Sequence, residues 1–284
     1  MQSDRQNLAG ALAYAGFRQI QPSARLEPYV QCYWQIRSNL ASSCPSIELL
    51  HPDGGLGMIL NFGHPLIYEE KEICVSGFMD GIHTRTRRLT MAGHVDAIGI
   101  RFKPGGAALF FSVPIAEIGN LNLDLNELAL EQFLELCQEY NEANPDGNIL
   151  NFVDGALQKL LTEPRSSELL VQAVMNRIES TGGVAPISNV IEDIGRSCRQ
   201  VERLFKGYVG MTPKQYARIV RVKNARQRLK NRSTQSCTEI GLLSGFYDQA
   251  HFIREFQSII GLSPMEYLHF RRQRPGEEQS PEIH

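Results

Sequence analysis

Phe252-x-Arg254-x-Phe256, Gly261-x-Ser263-Pro264 and Tyr267 repeat Val201-x-Arg203-x-Phe205, Gly210-x-Thr212-Pro213 and Tyr216 at a constant offset of 51 residues. A fixed offset marks one supersecondary unit used twice, so the C-terminal fold follows from what a single copy makes. In the first copy Ile187, Val190, Ile191 and Ile194 keep the i, i+3, i+4, i+7 spacing of an amphipathic helix, and Gly195 stands where a left-handed residue would end it. Ser197 with Gln200 predicts a capping box and a new helix, with Val201, Leu204 and Phe205 as its apolar stripe. In the second copy Ser236 with Glu239 makes another capping box, Ile240, Leu242 and Leu243 are apolar, and Gly245 turns the chain. Asp248 then caps the helix of Phe252 and Phe256. Two helices joined by a short glycine turn are the helix-turn-helix signature, whose second helix enters the DNA major groove.

Between the copies, Thr212-Pro213 is an N-cap with proline at the first helical position. Tyr216, Ile219, Val222, Ala225 and Leu229 keep one face apolar, while Lys214, Arg218, Arg221, Lys223, Arg226, Arg228 and Lys230 occupy the others. This predicts a linking helix of about 18 residues, roughly 27 Å long. That length suits two recognition helices about one DNA turn, roughly 34 Å, apart. Charge points the same way. Residues 112–195 hold fourteen acidic and three basic side chains, a net of −11, whereas 196–232 hold twelve basic and one acidic, a net of +11. Phosphate neutralisation dominates non-specific affinity for DNA, so a basic run on a duplicated helix-turn-helix reads as a nucleic-acid surface.

From about Pro164 to Arg272 these residues resemble the DNA-binding domain of the AraC/XylS class of bacterial transcription regulators. The run Ile240-Gly241-x-x-x-Gly245-Phe246-x-Asp248-Gln249-x-x-Phe252-x-Arg254-x-Phe256 carries that family's most specific pattern. The resemblance implies a sequence-specific regulator, an activator or a repressor, binding double-stranded DNA as a homodimer and contacting RNA polymerase. It also implies modulation through the N-terminal domain, with a small-molecule effector as a further partner. Carried over by position, the DNA-facing residues are Ser197, Arg199, Gln200, Glu202, Arg203 and Lys206 in the first motif, and Asp248, Gln249, Ala250, His251 and Arg254 in the second. Ala250 departs from the larger polar residues often found there, which removes a side-chain hydrogen bond at that position.

The rest of the 284-residue chain is about one further domain. Val30, Cys32, Trp34 and Ile36 alternate with Gln31, Tyr33, Gln35 and Arg37 as in a half-buried strand, and Leu56, Met58, Leu60 and Phe62 alternate again. Ile73 to Phe78 and Val95 to Phe102 read as further strands, and His51-Pro52-Asp53-Gly54-Gly55 as a turn. The outline is a small β-barrel or sandwich resembling the cupin-like effector domains that precede this DNA-binding module. Gly99-Ile100-Arg101-Phe102-Lys103-Pro104-Gly105-Gly106, with Phe110-Phe111 and Pro114, looks like a recurring N-terminal domain of uncharacterised AraC-type regulators. Glu127–Tyr140, with Leu128, Phe133, Leu134 and Leu136 apolar, and Ile149–Leu161 are expected helices. They would either dimerise, as the resemblance implies, or cover the barrel, because amphipathic spacing alone does not name the partner.

The fold class expected is therefore α+β. Residues 1–162 form an N-terminal sensor or oligomerisation domain with strands in 22–111 and helices in 115–162, 163–272 a tandem helix-turn-helix domain, and 273–284 a disordered tail. Six scattered cysteines without a C-x-x-C pair suit reduced thiols. His51, His64, His83 and His94 lack metal-binding spacing and read as turn or surface residues, so no metal, cofactor or catalytic set is expected. The competing reading is a barrel with its own enzymatic activity tethered to DNA, marked by a closed pocket of clustered polar groups. The N-terminus lacks the basic start and apolar centre of a signal peptide, and no long uncharged span appears, so a cytoplasmic protein without membrane contact is expected.

Overall fold

In this computed structural model the chain is described over residues 16–40, 45–111, 115–144, 147–192, 194–231 and 236–272. The expectations placed on the N-terminal segment, on Cys44 and on the 273–284 tail lie outside those residues.

The N-terminal half packs two antiparallel sheets. One holds six strands in the order β1 (Phe17–Ile20), β2 (Val30–Leu40), β9 (Gly93–Phe102), β4 (Leu56–Asn61), β7 (Gly77–Asp80) and β10 (Asn122–Asp124). The other holds β3 (Ser46–Leu50), β8 (Arg87–Met91), β5 (Leu66–Tyr68) and β6 (Lys71–Ile73). Between the sheets lie Trp34, Ile36, Ile59, Phe78 and Ala97, whereas Met58, Leu60, Met79, Ile98 and Ile100 enter a second cluster on the opposite face of the six-stranded sheet. A sheet buried on both faces gives continuously buried strands rather than alternating ones, and β4 is buried at every residue.

That corrects the half-buried reading of β2. The register shifts between Val30 and Cys32. A bulge inserts one residue and exchanges the faces beyond it, which puts Val30 and Tyr33 in one cluster and Trp34 and Ile36 in the other. Tyr33 and Gln35, expected to face solvent, are 0% and 1% exposed. Trp34 pairs with Gly99 across the sheet, where an added methyl group would stand 1.9 Å from the indole. Only glycine fits there.

Other sequence expectations also shift. Ile73–Phe78 is broken into the end of β6 and the start of β7, and β10 falls inside 115–162, where helices were expected. Three residues pairing with β7 carry too little periodicity to be seen. The first helix, α1, runs Glu131–Ala143, starting four residues later than expected, and buries Phe133, Leu134 and Cys137 while Leu136 is 53% exposed. Helix α2, Ile149–Leu160, stacks Phe152 on Tyr140 of α1 at 4.2 Å. Its Asp154 accepts hydrogen bonds from Tyr33 Oη at 2.9 Å and Ser23 N at 3.0 Å, so α2 covers the barrel. Burial opposes ionisation of Asp154, but the bonds from Ser23, Gln158 and Tyr33 outweigh it and hold the carboxyl below its ordinary value.

The helical half comprises α3 (Ser166–Ser180), α4 (Ile187–Glu192), α5 (Cys198–Val209), α6 (Pro213–Asn231), α7 (Cys237–Leu243), α8 (Gln249–Ile260) and α9 (Pro264–Arg272). Its buried residues Phe205, Tyr216, Phe252, Phe256 and Tyr267 belong to the same hydrophobic cluster as Met58, Ile98 and Phe102 of the barrel. One core runs through both halves.

Candidate nucleic-acid interface

Two helices, α5 and α8, are set by matching local chemistry. Ser197 caps α5, accepting from Gln200 N, while Gln200 Oε1 accepts from Ser197 N at 3.2 Å. Asp248 caps α8, accepting from His251 N at 2.7 Å. Both helices end on left-handed glycines, Gly210 at φ 76° and Gly261 at φ 82°. Phe205 and Phe256 are each 0% exposed and fix the inward faces.

The opposite faces are open. Ser197, Arg199, Gln200, Glu202, Arg203 and Lys206 are exposed on α5 and its cap, and Asp248, Gln249, Ala250 and Arg254 are exposed on α8 and its cap. His251 is half-buried, its ring edge-on to Phe246 at 5.6 Å. Its Nδ1 accepts from Tyr247 N at 3.3 Å, which puts the proton of the neutral ring on Nε2. Gln249 Oε1 accepts from Thr238 Oγ1 at 3.0 Å, leaving its amide nitrogen as the outward donor. Ser197, Gln200 and Asp248 are engaged in capping, so their side chains orient the helix starts.

Charge is distributed less freely than the sequence suggests. Arg218 of α6 holds Glu255 of α8 with Nε to Oε2 at 2.8 Å and Nη2 to Oε1 at 3.1 Å, a fork that ties the linking helix to the second recognition helix. Arg221 donates to the Gly183 carbonyl at 2.8 Å and lies over the Phe246 ring at 5.6 Å. Arg226 is 3% exposed. Glu255 stands 37 residues from Arg218 and carries no local signal. Capping of α7 is testable at this level. Ser236 accepts from Glu239 N at 3.2 Å and donates its own N–H to Glu239 Oε2 at 2.7 Å. Ser236→Ala is expected to cost about 1 kcal/mol, read as a lowered urea midpoint, and an unchanged midpoint would deny the cap any share in stability.

The barrel holds a cavity of about 20 Å³ lined by Trp34, Tyr68, Asp80, His83 and Arg101 among others. That is room for about one water molecule. His51 and His83 lie in loops, as expected of turn residues, yet are only 7% and 3% exposed: the His51 ring packs on Tyr267 of the helical half, and His83 lines the cavity inside the barrel. Burial lowers the pKa of His83 and keeps it neutral. Arg101 is paired with Asp53 inside the barrel. Among the described residues no three His, Cys, Asp or Glu side chains group as metal ligands, and no helix is long and apolar enough to cross a membrane.

Residues 18–124 match a family described as a domain of unknown function (DUF6597), and residues 191–269 match a helix-turn-helix domain. The HTH-type transcriptional regulator ArgR of Pseudomonas aeruginosa is 33% identical over 103 residues, 36% of this chain and 31% of that protein. The melibiose operon regulatory protein of Escherichia coli K12 is 21% identical over 159 residues, covering 56% of this chain and 52% of its own. The chain thus spans about a third to a half of these relatives' length. Among solved structures, a transcriptional regulator with an AraC-type DNA-binding domain from Chromobacterium violaceum is 30% identical, covering 39% of this chain and 97% of its own, with a TM-score of 0.35. ToxT of Vibrio cholerae aligns over 84% of this chain and 97% of its own at 12% identity and a TM-score of 0.44.

Proposed function

We propose that the chain is a transcription regulator of the AraC/XylS class through its tandem helix-turn-helix module, and that the whole protein is a sequence-specific, DNA-binding regulator with a regulatory N-terminal domain. The observation that carries the reading is the pair of capped helices, α5 and α8, each presenting an exposed polar face built on one of two equivalent buried phenylalanines. Arg199, Glu202 and Arg203 read one stretch of major groove, and Gln249, Ala250, His251 and Arg254 the next. Arginine forks onto guanine O6 and N7, whereas Ala250 offers a methyl contact to thymine.

The proposed division places residues 1–162 in the regulatory domain and 163–272 in the DNA-binding domain. Thr162, bonded through both its backbone N–H and its hydroxyl to the Leu109 carbonyl, supports that boundary. Leu136, exposed on α1 beside the barrel-covering α2, supports α1 as the homodimer contact. RNA polymerase and a small-molecule effector complete the proposed partners, and the cytoplasm is the proposed location.

The deciding measurement compares Arg203→Ala and Arg254→Ala with wild type on duplexes enriched from a random pool and on unselected DNA. Each variant is expected to lose about 1–3 kcal/mol on the enriched site and to relax the base preference at one position. Equal losses on both DNAs would make these arginines phosphate contacts.

A further inference from the structure

Both copies of the repeat are touched by the same two loops of the barrel. In the loop 51–55, Gly54 at φ +84° lies so close to the linking helix that an added methyl group would stand 2.7 Å from Tyr216 Cε2. In the same loop the His51 ring meets Tyr267 edge-on, with centroids 5.9 Å apart. Tyr216 and Tyr267 are equivalent residues of the two copies, 51 apart. The loop 81–86, between β7 and β8, reaches the far ends of the recognition helices. A methyl group on Gly210, the left-handed end of α5, would stand 2.8 Å from Ile82 Cδ1. Thr86 gives its backbone N–H at 2.8 Å and its hydroxyl at 3.1 Å to the Ile259 carbonyl, one of the last carbonyls of α8 that helix geometry leaves unpaired. Since that hydroxyl donates to Ile259, its 2.8 Å contact with His51 has Nδ1 donating, which joins the two loops.

We propose that these two loops form a brace that fixes the separation and angle of α5 and α8, so that the N-terminal domain sets which spacing between the two halves of a DNA site the protein accepts. The proposal rests on the DNA-binding reading above. A recognition helix contacts bases through its N-terminal residues, and the brace holds the opposite ends, leaving Arg199, Arg203, Gln249 and Arg254 exposed. The linking helix α6 joins the copies along one line. Contacts at Gly210 and Ile259 add a second tie away from that line and close the frame against rotation.

The test uses full-length protein and duplexes enriched from a random pool by the wild type, rebuilt with one or two base pairs inserted or removed between their halves. Thr86→Val keeps the shape and the backbone bond but removes the hydroxyl, Ile82→Ala empties the contact under Gly210, and Thr86→Ser restores the hydroxyl. Emission from Trp34, the single tryptophan, reports that the barrel is folded. One added base pair turns the far half by about 35°, and wild type is expected to lose about tenfold in affinity for it. Folded Thr86→Val and Ile82→Ala are expected to flatten that profile to within about threefold, with single-half binding unchanged and Thr86→Ser behaving as wild type. Folded variants that keep the wild-type profile, or that lose the same factor on every duplex, overturn the brace alone. A wild type that enriches no duplex overturns the DNA-binding reading and the brace with it.

Discussion

Phe256→Ala is expected to lower the stability of the protein by about 3–5 kcal/mol, the cost of removing a large aromatic side chain from a close-packed interior. Phe256 is 0% exposed and meets Phe252 at 5.6 Å and Tyr267 at 5.7 Å, both edge-on. Tyr267 in turn meets His51 of the barrel. The vacancy therefore lies one ring away from the contact between the two halves, and the loss is expected to appear in the unfolding of both. Phe205→Ala should behave alike, since Phe205 packs on Tyr216 at 5.7 Å and Tyr216 on Gly54. Urea unfolding followed by Trp34 emission for the barrel and by far-ultraviolet circular dichroism for the helices checks this. A Phe256→Ala midpoint equal to wild type would remove the residue from the core, and a barrel transition unchanged while the helices melt early would mean that the shared core transmits nothing.

The duplicated half was legible because its determinants are local. The starts of α5 and α7 are written in residues three apart, Ser197 with Gln200 and Ser236 with Glu239, and left-handed glycines mark where the chain leaves the helices, Gly210 at the end of α5 and Gly245 just beyond α7. The barrel was legible in outline but not in register. A single inserted residue between Val30 and Cys32 exchanges the faces of β2, and no residue type announces it. The turn 51–55 has the composition of an exposed loop, yet all five residues are buried. Gly54 and His51 are covered by Tyr216 and Tyr267 of the helical half, more than a hundred residues away in sequence, and Asp53 and Gly55 by Arg101 and Phe102 of the barrel. The residues proposed to face DNA follow from matching a pattern, and the pattern says nothing of the barrel loops behind them.

Charge shows the same divide between count and placement. The run 196–232 has a net of +11, which taken as a phosphate count would include every arginine of α6. Arg218 is held by Glu255, Arg221 lies on Gly183 and Phe246, and Arg226 is buried. Lys223 and Lys230 are half-buried, and Arg232 lies outside the described residues. The exposed cations are Arg196, Arg199, Arg203, Lys206, Lys214 and Arg228, joined by Arg254 of the second recognition helix. Each neutralised phosphate contributes a slope of roughly −0.9 to log K against log salt, so these seven predict a slope of about −6. Affinity for duplex DNA is then expected to fall by a factor on the order of 10³–10⁴ between about 50 and 200 mM salt. Fluorescence anisotropy of a labelled duplex across that range measures the slope directly. A value near −12, roughly what thirteen phosphate contacts would give, would mean that the arginines of α6 leave Glu255 and the interior on binding. A slope near zero would mean that the exposed face of α5 and α8 meets no phosphates, and DNA would be the wrong partner for it.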